Sequence, residues 1–322
     1  MDAKPKTLQQ AIRYFTDEQV CIDTVAAIRW PNGPTCPACG HKEHYYLKTQ
    51  KRWKCKECYK QFTVKLGTIF EDSPLGLDKW LAALWMLVNC KNGISSYEVG
   101  RALGVTQKSA WFMLHRLRFA LQSGSITKIG GPGSEFEVDE TFIGGKARNM
   151  HKERRSRLKH YGRGADKAIV MGILQRSGEV HAKVVPDTKK VALWGEIRGR
   201  VHTGSTVYTD QSPVYYELGK EKEYDHQVIN HLEKYVDGRV STNGIENFWS
   251  LLKRGLNGTY VNVEPFHLFR YVDEQVFRYN NRKKADGGKF NDAERFNLAL
   301  SQIAGKRLTF AEVTGKVGET AF

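Results

Sequence analysis

The sequence predicts a multidomain protein in which a small cysteine-rich module and an all-α region precede a larger α/β domain. Four of the six cysteines form two CxxC pairs within residues 35–70. Residues 75–123 carry apolar side chains at helical spacing. Beyond residues 130–133, runs with the two-residue alternation of a strand are interleaved with further helix-like runs. A chain of 322 residues has room for two or three such domains.

These signals divide the chain into five segments. One helix is predicted over residues 7–29, turn residues 31–34 end it, and the Gly-Pro run at 130–133 marks the clearest boundary. The segments are an N-terminal helical segment (1–34), the cysteine module (35–70), the helical region (71–129), the α/β domain (130–285) and a C-terminal tail (286–322).

Charge and composition narrow the class of protein. The chain has 50 Lys and Arg against 35 Asp and Glu, a formal net charge of +15. This excess favours a polyanionic partner, although a basic protein without such a partner has the same composition. The N-terminus lacks an apolar signal-peptide core, and no apolar run approaches the ~20 residues of a membrane span. We therefore expect a cytoplasmic protein with no membrane association.

The cysteine spacing predicts a structural zinc site. The pattern C-x2-C-x15-C-x2-C places two thiolate pairs on tight turns, which together complete a tetrahedral site of the zinc-ribbon type. A redox CxxC is the alternative, and the doubled pair at this spacing disfavours it. The predicted zinc ligands are Cys36, Cys39, Cys55 and Cys58. The lysines of this module permit phosphate contact, although charges on a small ribbon also form an ordinary solvated face. The pattern leaves open whether the ribbon contacts DNA or a second protomer.

Residues 97–121 fit a helix, a short glycine-containing turn and a second helix, with Thr106 as N-cap. In a DNA-binding helix-turn-helix, the N-terminal end of the second helix faces base edges. An ordinary helical hairpin has the same pattern. The candidate DNA-binding residues are Gln107, Lys108 and Ser109 for bases, and Arg116 and Arg118 for phosphates.

The α/β domain is predicted from alternating strand-like and helix-like runs. Phe136 and Val138 alternate with acidic residues, as in a strand with one buried face. Two apolar runs, 167–174 and 179–185, flank Gln-Arg-Ser-Gly and suggest a hairpin. The remaining elements are a helix over 188–201, strands over 206–210 and 224–229, and helices near 242–254 and 264–280.

Three acidic residues of this domain form the candidate catalytic centre. Asp139 and Asp210 lie in or just after strand-like runs, and Glu246 begins a helix-like run. Carboxylates delivered by strand ends and a helix can hold two divalent cations about 3.5–4 Å apart for phosphoryl transfer. Taken singly, each acid is also an ordinary turn former or a solvated helix residue. Lys253 follows Glu246 by about two helical turns, so the two project from the same face of the helix.

A basic insertion follows the first strand of this domain. Residues 146–167 contain nine Lys or Arg and two acids. A solvated loop is one interpretation, and a clamp on the DNA backbone is the other.

Five sequence motifs, spanning residues 36–282, carry a resemblance to a known family. They are CPACG…WKCKECYKQFTVKLGTIF, VDETFIGGK, VYTDQSPVY, STNGIENFWSLLKRGLNGTY and FRYNNR. The chain resembles bacterial insertion-sequence transposases of the DDE, ribonuclease-H-like class, in the subgroup with an N-terminal zinc ribbon. The resemblance implies a ribonuclease-H-like catalytic domain with a mixed central sheet. It also implies Asp139, Asp210 and Glu246 as catalytic acids, with Lys253 as the companion basic residue.

This resemblance sets the expected activity, cofactors and partners. The expected activity is metal-dependent cutting at the ends of an insertion element, followed by joining of the freed 3′-hydroxyl to target DNA. The expected cofactors are structural Zn²⁺ and two catalytic Mg²⁺ or Mn²⁺ ions. The expected partners are double-stranded DNA, as terminal inverted repeats and as target, and a second copy of the chain in a dimer on DNA. A DNA-binding regulator with a non-catalytic scaffold and a nuclease of the same fold are the alternatives.

The third metal position has alternatives within the same helix. Asn243 and Asn247 flank Glu246, and related subgroups can use Asn at this position. Weaker candidates elsewhere in the domain are Asp225, His231 and Asp237.

Overall fold

A computed structural model describes residues 5–122, 127–145, 152, 167–218, 220, 222–229, 240–284 and 286–316. The chain forms two compact units, the first made of Met1–Gln122 together with Gly287–Phe322 and the second of Ser123–Asp286. Most of the basic insertion at 146–167 lies outside the described residues, as do His231 and Asp237. In the part of the chain that is described, no helix is long and apolar enough to cross a membrane.

The first unit begins with two short helices where the sequence predicted one over residues 7–29. Helix α1 spans Leu8–Tyr14, and α2 spans Glu18–Arg29. The Asp17 side chain accepts a hydrogen bond of 2.7 Å from the backbone N–H of Gln19 and caps α2. The prediction of a single helix was wrong because this capping carboxylate satisfies an N–H at the start of a new helix.

The cysteine module is a small antiparallel sheet. Its strands, in spatial order, are β1 (His44–Leu47), β2 (Arg52–Cys55) and β3 (Gln61–Phe62). One face carries Trp53 and Phe62, whose ring centroids lie 5.2 and 5.9 Å from that of Trp30 at the end of α2. This aromatic cluster attaches the sheet to the helices and adds apolar burial that so small a sheet cannot supply alone.

Three helices follow the sheet in the first unit. They are α3 (Leu77–Asn89), α4 (Ser96–Leu103) and α5 (Gln107–Leu121). Gly104 ends α4 in the left-handed conformation, with φ of 61°. The Thr106 side chain then accepts a hydrogen bond of 3.2 Å from the backbone N–H of Ser109 and starts α5. A helix, a turn and a second helix therefore lie where the sequence predicted them.

The second unit is built on a mixed five-stranded sheet. Its strands are β4 (Glu135–Ile143), β5 (Ala168–Gln175), β6 (Val180–Val185), β7 (Thr206–Asp210) and β8 (Asp225–Ile229). Their spatial order is β6-β5-β4-β7-β8. Strands β4, β5 and β6 pair antiparallel, whereas β4, β7 and β8 pair in parallel. This arrangement is consistent with a ribonuclease-H-like domain.

Helices cover both faces of this sheet. Helix α6 (Lys190–Arg200) covers one face, and α7 (Asn243–Arg254) and α8 (Leu268–Asn280) cover the other. In β4, Phe136 and Val138 belong to the core beneath α6. Because successive strand residues face opposite sides, Glu137 and Asp139 face α7. A π-helical turn, Gly255–Tyr260, follows α7 directly.

The Gly-Pro run at residues 130–133 lies inside the second unit, and the division between the units falls earlier, after Gln122. The backbone N–H of Gly131 donates a hydrogen bond of 2.9 Å to Ser205 Oγ. A Cβ at Gly130 would lie 2.5 Å from the Phe136 ring. Here the glycines permit close packing against the sheet. A Gly-Pro run that packs in this way has the same composition as one that forms a linker, so the sequence alone did not distinguish the two.

The C-terminal segment returns to the first unit instead of forming a separate tail. Helices α9 (Asp292–Ser301) and α10 (Phe310–Val313) lie in this segment. Backbone hydrogen bonds join Ile69 N–H to Ile303 O at 3.1 Å and Gly305 N–H to Gly67 O at 2.9 Å. The Lys306 ammonium donates to two carbonyl oxygens at the C-terminal end of α5, each at 2.8 Å. A cation at this position stabilises the end of a helix.

Candidate active site

Asp139 and Asp210 lie at the same level of two adjacent parallel strands. Strands β4 and β7 pair in register, with Glu137 opposite Tyr208. The members of each pair in this ladder are 71 residues apart, and 71 residues also separate Asp139 from Asp210. The register therefore places both aspartates at the carboxyl end of β7, on the face that α7 covers.

Helix α7 contacts the first aspartate directly. The indole N–H of Trp249 donates a hydrogen bond of 2.9 Å to Asp139 Oδ2, and the backbone N–H of Glu140 donates one of 2.8 Å to Oδ1. Gly172 of β5 is opposite Asp139 in the sheet. A Cβ at Gly172 would lie 2.7 Å from the Trp249 ring. The glycine thus leaves the space through which the indole reaches the aspartate.

A buried ion pair holds the N-terminal end of α7. Glu137, which is 4% exposed, accepts hydrogen bonds of 3.0 Å from the Arg176 guanidinium and from the backbone N–H of Ile245. Arg176 also donates to the carbonyl and hydroxyl oxygens of Ser241, at 2.8 and 3.1 Å. The N-cap residue Thr242 makes no side-chain capping bond. Strand β4 therefore supplies the carboxylate that stabilises the start of the helix.

Glu246 lies in the first turn of α7, on its exposed side. The hydroxyl of Thr242 donates a hydrogen bond of 3.1 Å to Glu246 Oε1. Burial, followed by the charges of Asp210 and Glu246, raises the pKa of Asp139 to about 6. Asp210 and Glu246 are therefore close enough to Asp139 for their charges to affect it. Lys253 is exposed two turns further along the same helix.

The oxygen donors of these acids suit a hard divalent cation such as Mg²⁺ or Mn²⁺. A bound cation would offset the negative charge that raises the pKa of Asp139. Among the described residues, the three acids do not have carboxylate oxygens all within 4.8 Å of one another. Two ions about 3.5–4 Å apart do not need that spacing, because different carboxylates can contact different ions. Asn243 and Asn247 are exposed on the same helix, and the choice of Glu246 as third ligand stays a prediction.

Of two other acids in the sheet, Glu140 is adjacent to Asp139 in the chain, whereas Asp225 is far from the candidate site. Burial, with the charge of Asp139 next, raises the pKa of Glu140 to about 8, and Glu140 accepts a hydrogen bond from the hydroxyl of buried Tyr215. Asp225 pairs with Thr206, at the opposite end of β7 from Asp210. Four residues of strand separate these levels by about 13 Å. Asp225 is therefore too distant to share a cation with the other acids.

The four cysteines of the first unit converge as predicted. Their Sγ atoms all lie within 4.8 Å of one another. Two of the distances, Cys36 to Cys58 and Cys39 to Cys55, are 3.6 Å. A tetrahedron with Zn–S bonds of about 2.3 Å has S–S edges of about 3.8 Å. The cluster therefore fits a closed structural zinc site.

The candidate DNA-binding residues of α5 separate into two groups. Gln107 and Lys108 are exposed and Ser109 is half-buried at the start of the helix. Arg116 and Arg118 are only 3% and 1% exposed. Arg116 donates a hydrogen bond of 2.6 Å to the backbone carbonyl of Glu71 and lies over the buried ring of Trp80 and the half-buried ring of Phe112. Burial of both arginines argues against the predicted phosphate contacts, because the guanidinium groups do not reach solvent from these positions.

Sequence analysis proposed the three candidate acids but did not identify the residues that contact them. Trp249 falls within the helix predicted near 242–254, and helical periodicity does not indicate the partner of an indole N–H. Glu137 looked like the exposed position of an alternating strand. Gly172, within an otherwise apolar strand, was the available signal, because an isolated strand glycine often marks close approach of another element.

The mixed sheet of this order, with helices on both faces, is consistent with a ribonuclease-H-like domain, and the four-cysteine cluster of the first unit fits a zinc ribbon. Residues 130–280 match the family described as the ISXO2-like transposase domain, and residues 16–61 match the transposase zinc-ribbon domain. The chain belongs to this family of insertion-sequence transposases with an N-terminal zinc ribbon.

Two relatives have names that refer to a transposable element or to a transposase. The chain is 30% identical over 261 residues to the uncharacterized protein in transposable element ISH50 of Halobacterium salinarum, covering 76% of this chain and 85% of the relative. It is 34% identical over 103 residues to an uncharacterized transposase-like protein of Haemophilus influenzae, covering 32% of this chain and 82% of the relative.

Proposed function

We propose that this protein cuts DNA at the ends of its insertion element and joins the freed 3′-hydroxyl to target DNA, with Asp139, Asp210 and Glu246 holding Mg²⁺ or Mn²⁺. The observation that carries the proposal is the parallel register of β4 and β7, which brings Asp139 and Asp210 to one level beside α7. Membership of the transposase family supports the same reaction.

Each group of the site has a distinct role in this reaction. The two aspartates supply ligands from rigid strands, and Glu246 supplies one from the first turn of α7. Lys253 places a positive charge where it would hold a phosphate near the cut. When bound, a pair of divalent ions activates the attacking oxygen and stabilises the leaving oxygen of an in-line displacement.

DNA recognition is assigned to the start of α5. Gln107, Lys108 and Ser109 lie at the N-terminal end of the second helix of the pair, the position from which a recognition helix contacts base edges. The DNA partners would be the terminal inverted repeats and the target, with a dimer of the chain assembled on them. The net charge of +15 supports contact with the phosphate backbone.

The test compares isosteric Asp-to-Asn variants of the full chain. Asp139→Asn or Asp210→Asn should lower cleavage and strand transfer by roughly 10³-fold, because an anionic ligand worth several kcal/mol of transition-state stabilisation is lost. Binding to terminal-repeat DNA should change little. Asp225→Asn is the matched control, since this residue lies on the same sheet at the opposite end of β7. It should retain full activity.

Three outcomes would contradict the proposal. Strand transfer by either variant at the wild-type rate would mean that the chemistry lies elsewhere. Cleavage of element ends without joining, by the wild type, would indicate a nuclease. Specific end binding with no metal-dependent chemistry under any condition would indicate a regulator.

A further inference from the structure

Two hydrogen bonds attach α7 to β4, and they lie on either side of Glu246. The backbone N–H of Ile245 donates to Glu137 Oε2 at 3.0 Å, and the Trp249 indole N–H donates to Asp139 Oδ2 at 2.9 Å. The two donors are four residues apart, about one helical turn or 6 Å. Their acceptors are alternate residues of one strand and so face the same side. These two hydrogen bonds therefore fix both the rotation and the translation of α7 at its first turn, where Glu246 lies.

The close contacts around Trp249 leave no room for α7 to lie at a different position on the sheet. A Cβ at Gly172 would lie 2.7 Å from both the Trp249 ring and Ile245 Cδ1. A Cβ at Gly244 would lie 2.8 Å from Glu137 Oε2. If α7 moved by one residue, its side chains would rotate by about 100° around the axis, and Glu246 would project in a different direction relative to Asp139. Close packing of this kind specifies one register.

We propose that Trp249 is a positioning residue of the metal site, which orients the Asp139 carboxylate and fixes Glu246 relative to it. This inference rests on the proposed function. The indole N–H occupies one acceptor direction of Oδ2, and the backbone N–H of Glu140 occupies one of Oδ1. Each carboxylate oxygen has a second acceptor direction, so metal binding remains open to both. Hydrogen-bond partners that orient metal ligands in this way typically affect metal affinity or activity about 10–100-fold.

The first test removes the donor and keeps the ring. Trp249→Phe in the full chain retains an aromatic side chain against the Gly172 backbone but loses the N–H. The matched control is Trp194→Phe, because Trp194 is also buried in the second unit and its indole donates a 3.0 Å hydrogen bond to the carbonyl of Val214. Mn²⁺ binding to the zinc-loaded, DNA-free protein is measured from the loss of the free-ion electron paramagnetic resonance signal, and cleavage of terminal-repeat DNA is measured at increasing Mn²⁺.

The expected result is a 10–100-fold weaker Mn²⁺ affinity for Trp249→Phe and a matching shift in the Mn²⁺ needed for cleavage. Trp194→Phe should stay within about threefold of the wild type, and binding of terminal-repeat DNA should be retained in both. Equal Mn²⁺ affinities for the two variants would overturn the proposal, since Trp249 would then contribute only packing.

A second pair of variants displaces the indole without removing it. Gly172→Ala introduces the Cβ that collides with the ring, and should weaken Mn²⁺ binding as Trp249→Phe does. Gly195→Ala is its control, since a Cβ there meets no atom within 4 Å. Wild-type Mn²⁺ affinity in a folded Gly172→Ala protein would also count against the positioning role. Asp139→Asn separates the two claims: if it cleaves and binds Mn²⁺ like the wild type, the proposed function itself fails.

Discussion

The C-terminal segment should be an integral part of the first unit, and Phe296 of α9 gives the sharpest test. Its side chain is 2% exposed. Its ring centroid lies 5.6 Å from that of Phe15 and 5.1 Å from that of Trp85. If residues 286–322 were a dispensable tail, truncating this side chain would not affect helices that precede it by 200 residues. If they complete the core, Phe296→Ala should loosen α3, which carries Trp85.

The size of the effect follows from the surroundings of the ring. Removing a buried phenylalanine side chain costs about 3–5 kcal/mol. Phe296 also borders a partly open pocket of about 550 Å³, where neighbouring side chains have room to relax after truncation, and we expect the lower end, about 3 kcal/mol. For a domain of this size, that corresponds to a fall in melting temperature of roughly 6–12 °C.

Hydrogen exchange of the α3 amides, followed by mass spectrometry on the full chain, reports on the first unit separately. The control is Phe310→Ala in the same segment, because Phe310 is 37% exposed and should cost about 1 kcal/mol or less. Amide exchange in α3 should accelerate about 100-fold for Phe296→Ala, because a loss of about 3 kcal/mol in the free energy of unfolding corresponds to a factor of that size. It should accelerate far less for the control. Equal protection in the two variants would refute a structural role for α9.

Three further predictions follow from the geometry. Purified protein should contain one zinc ion per chain. Cys55→Ser should lose that zinc ion, and the ribbon should then become sensitive to protease. Full zinc content in the variant would exclude the four-cysteine site. Arg176→Met should destabilise the second unit by about 3–5 kcal/mol, because it leaves the Glu137 carboxylate buried without the guanidinium that pairs with it. Arg198→Met breaks a more exposed ion pair and should cost about 0–1 kcal/mol. Equal unfolding midpoints for the two variants would refute the distinction. Gln107→Ala should reduce discrimination between terminal-repeat and unrelated DNA by about 1–3 kcal/mol in a competition binding assay, and unchanged discrimination would remove Gln107 from recognition.

Local patterns predicted the elements of the second unit well. The strand Thr206–Asp210 and the hairpin of β5 and β6 lie where alternation and turn residues placed them. The helix that carries Glu246 begins one residue after its predicted start at 242. These elements follow from signals within a few residues, which is the range over which side-chain periodicity and capping act.

What the sequence could not predict depends on contacts between distant residues. Burial of Arg116 requires knowing that the Trp80 ring of α3 faces this side of α5. The hydrogen bond from Trp249 to Asp139 joins residues 110 positions apart. The candidate acids could be proposed from the sequence because they carry charge and fall at strand ends or, for Glu246, at the start of a helix. The indole that contacts Asp139 has no such local signal, because a tryptophan in a helix usually packs in the core.

The order of the chain also limits how the protein can be divided for experiments. The second unit is inserted between two parts of the first, whose core includes Phe296, Leu300 and Ile303 from the C-terminal part. A fragment of residues 1–125 lacks these side chains and the backbone hydrogen bonds to Ile69 and Gly67. Exposed apolar surface would make such a fragment unstable, so its failure to bind DNA would say nothing about α5. End-binding assays therefore need the full chain, with recognition tested by substitutions at the start of α5 rather than by truncation.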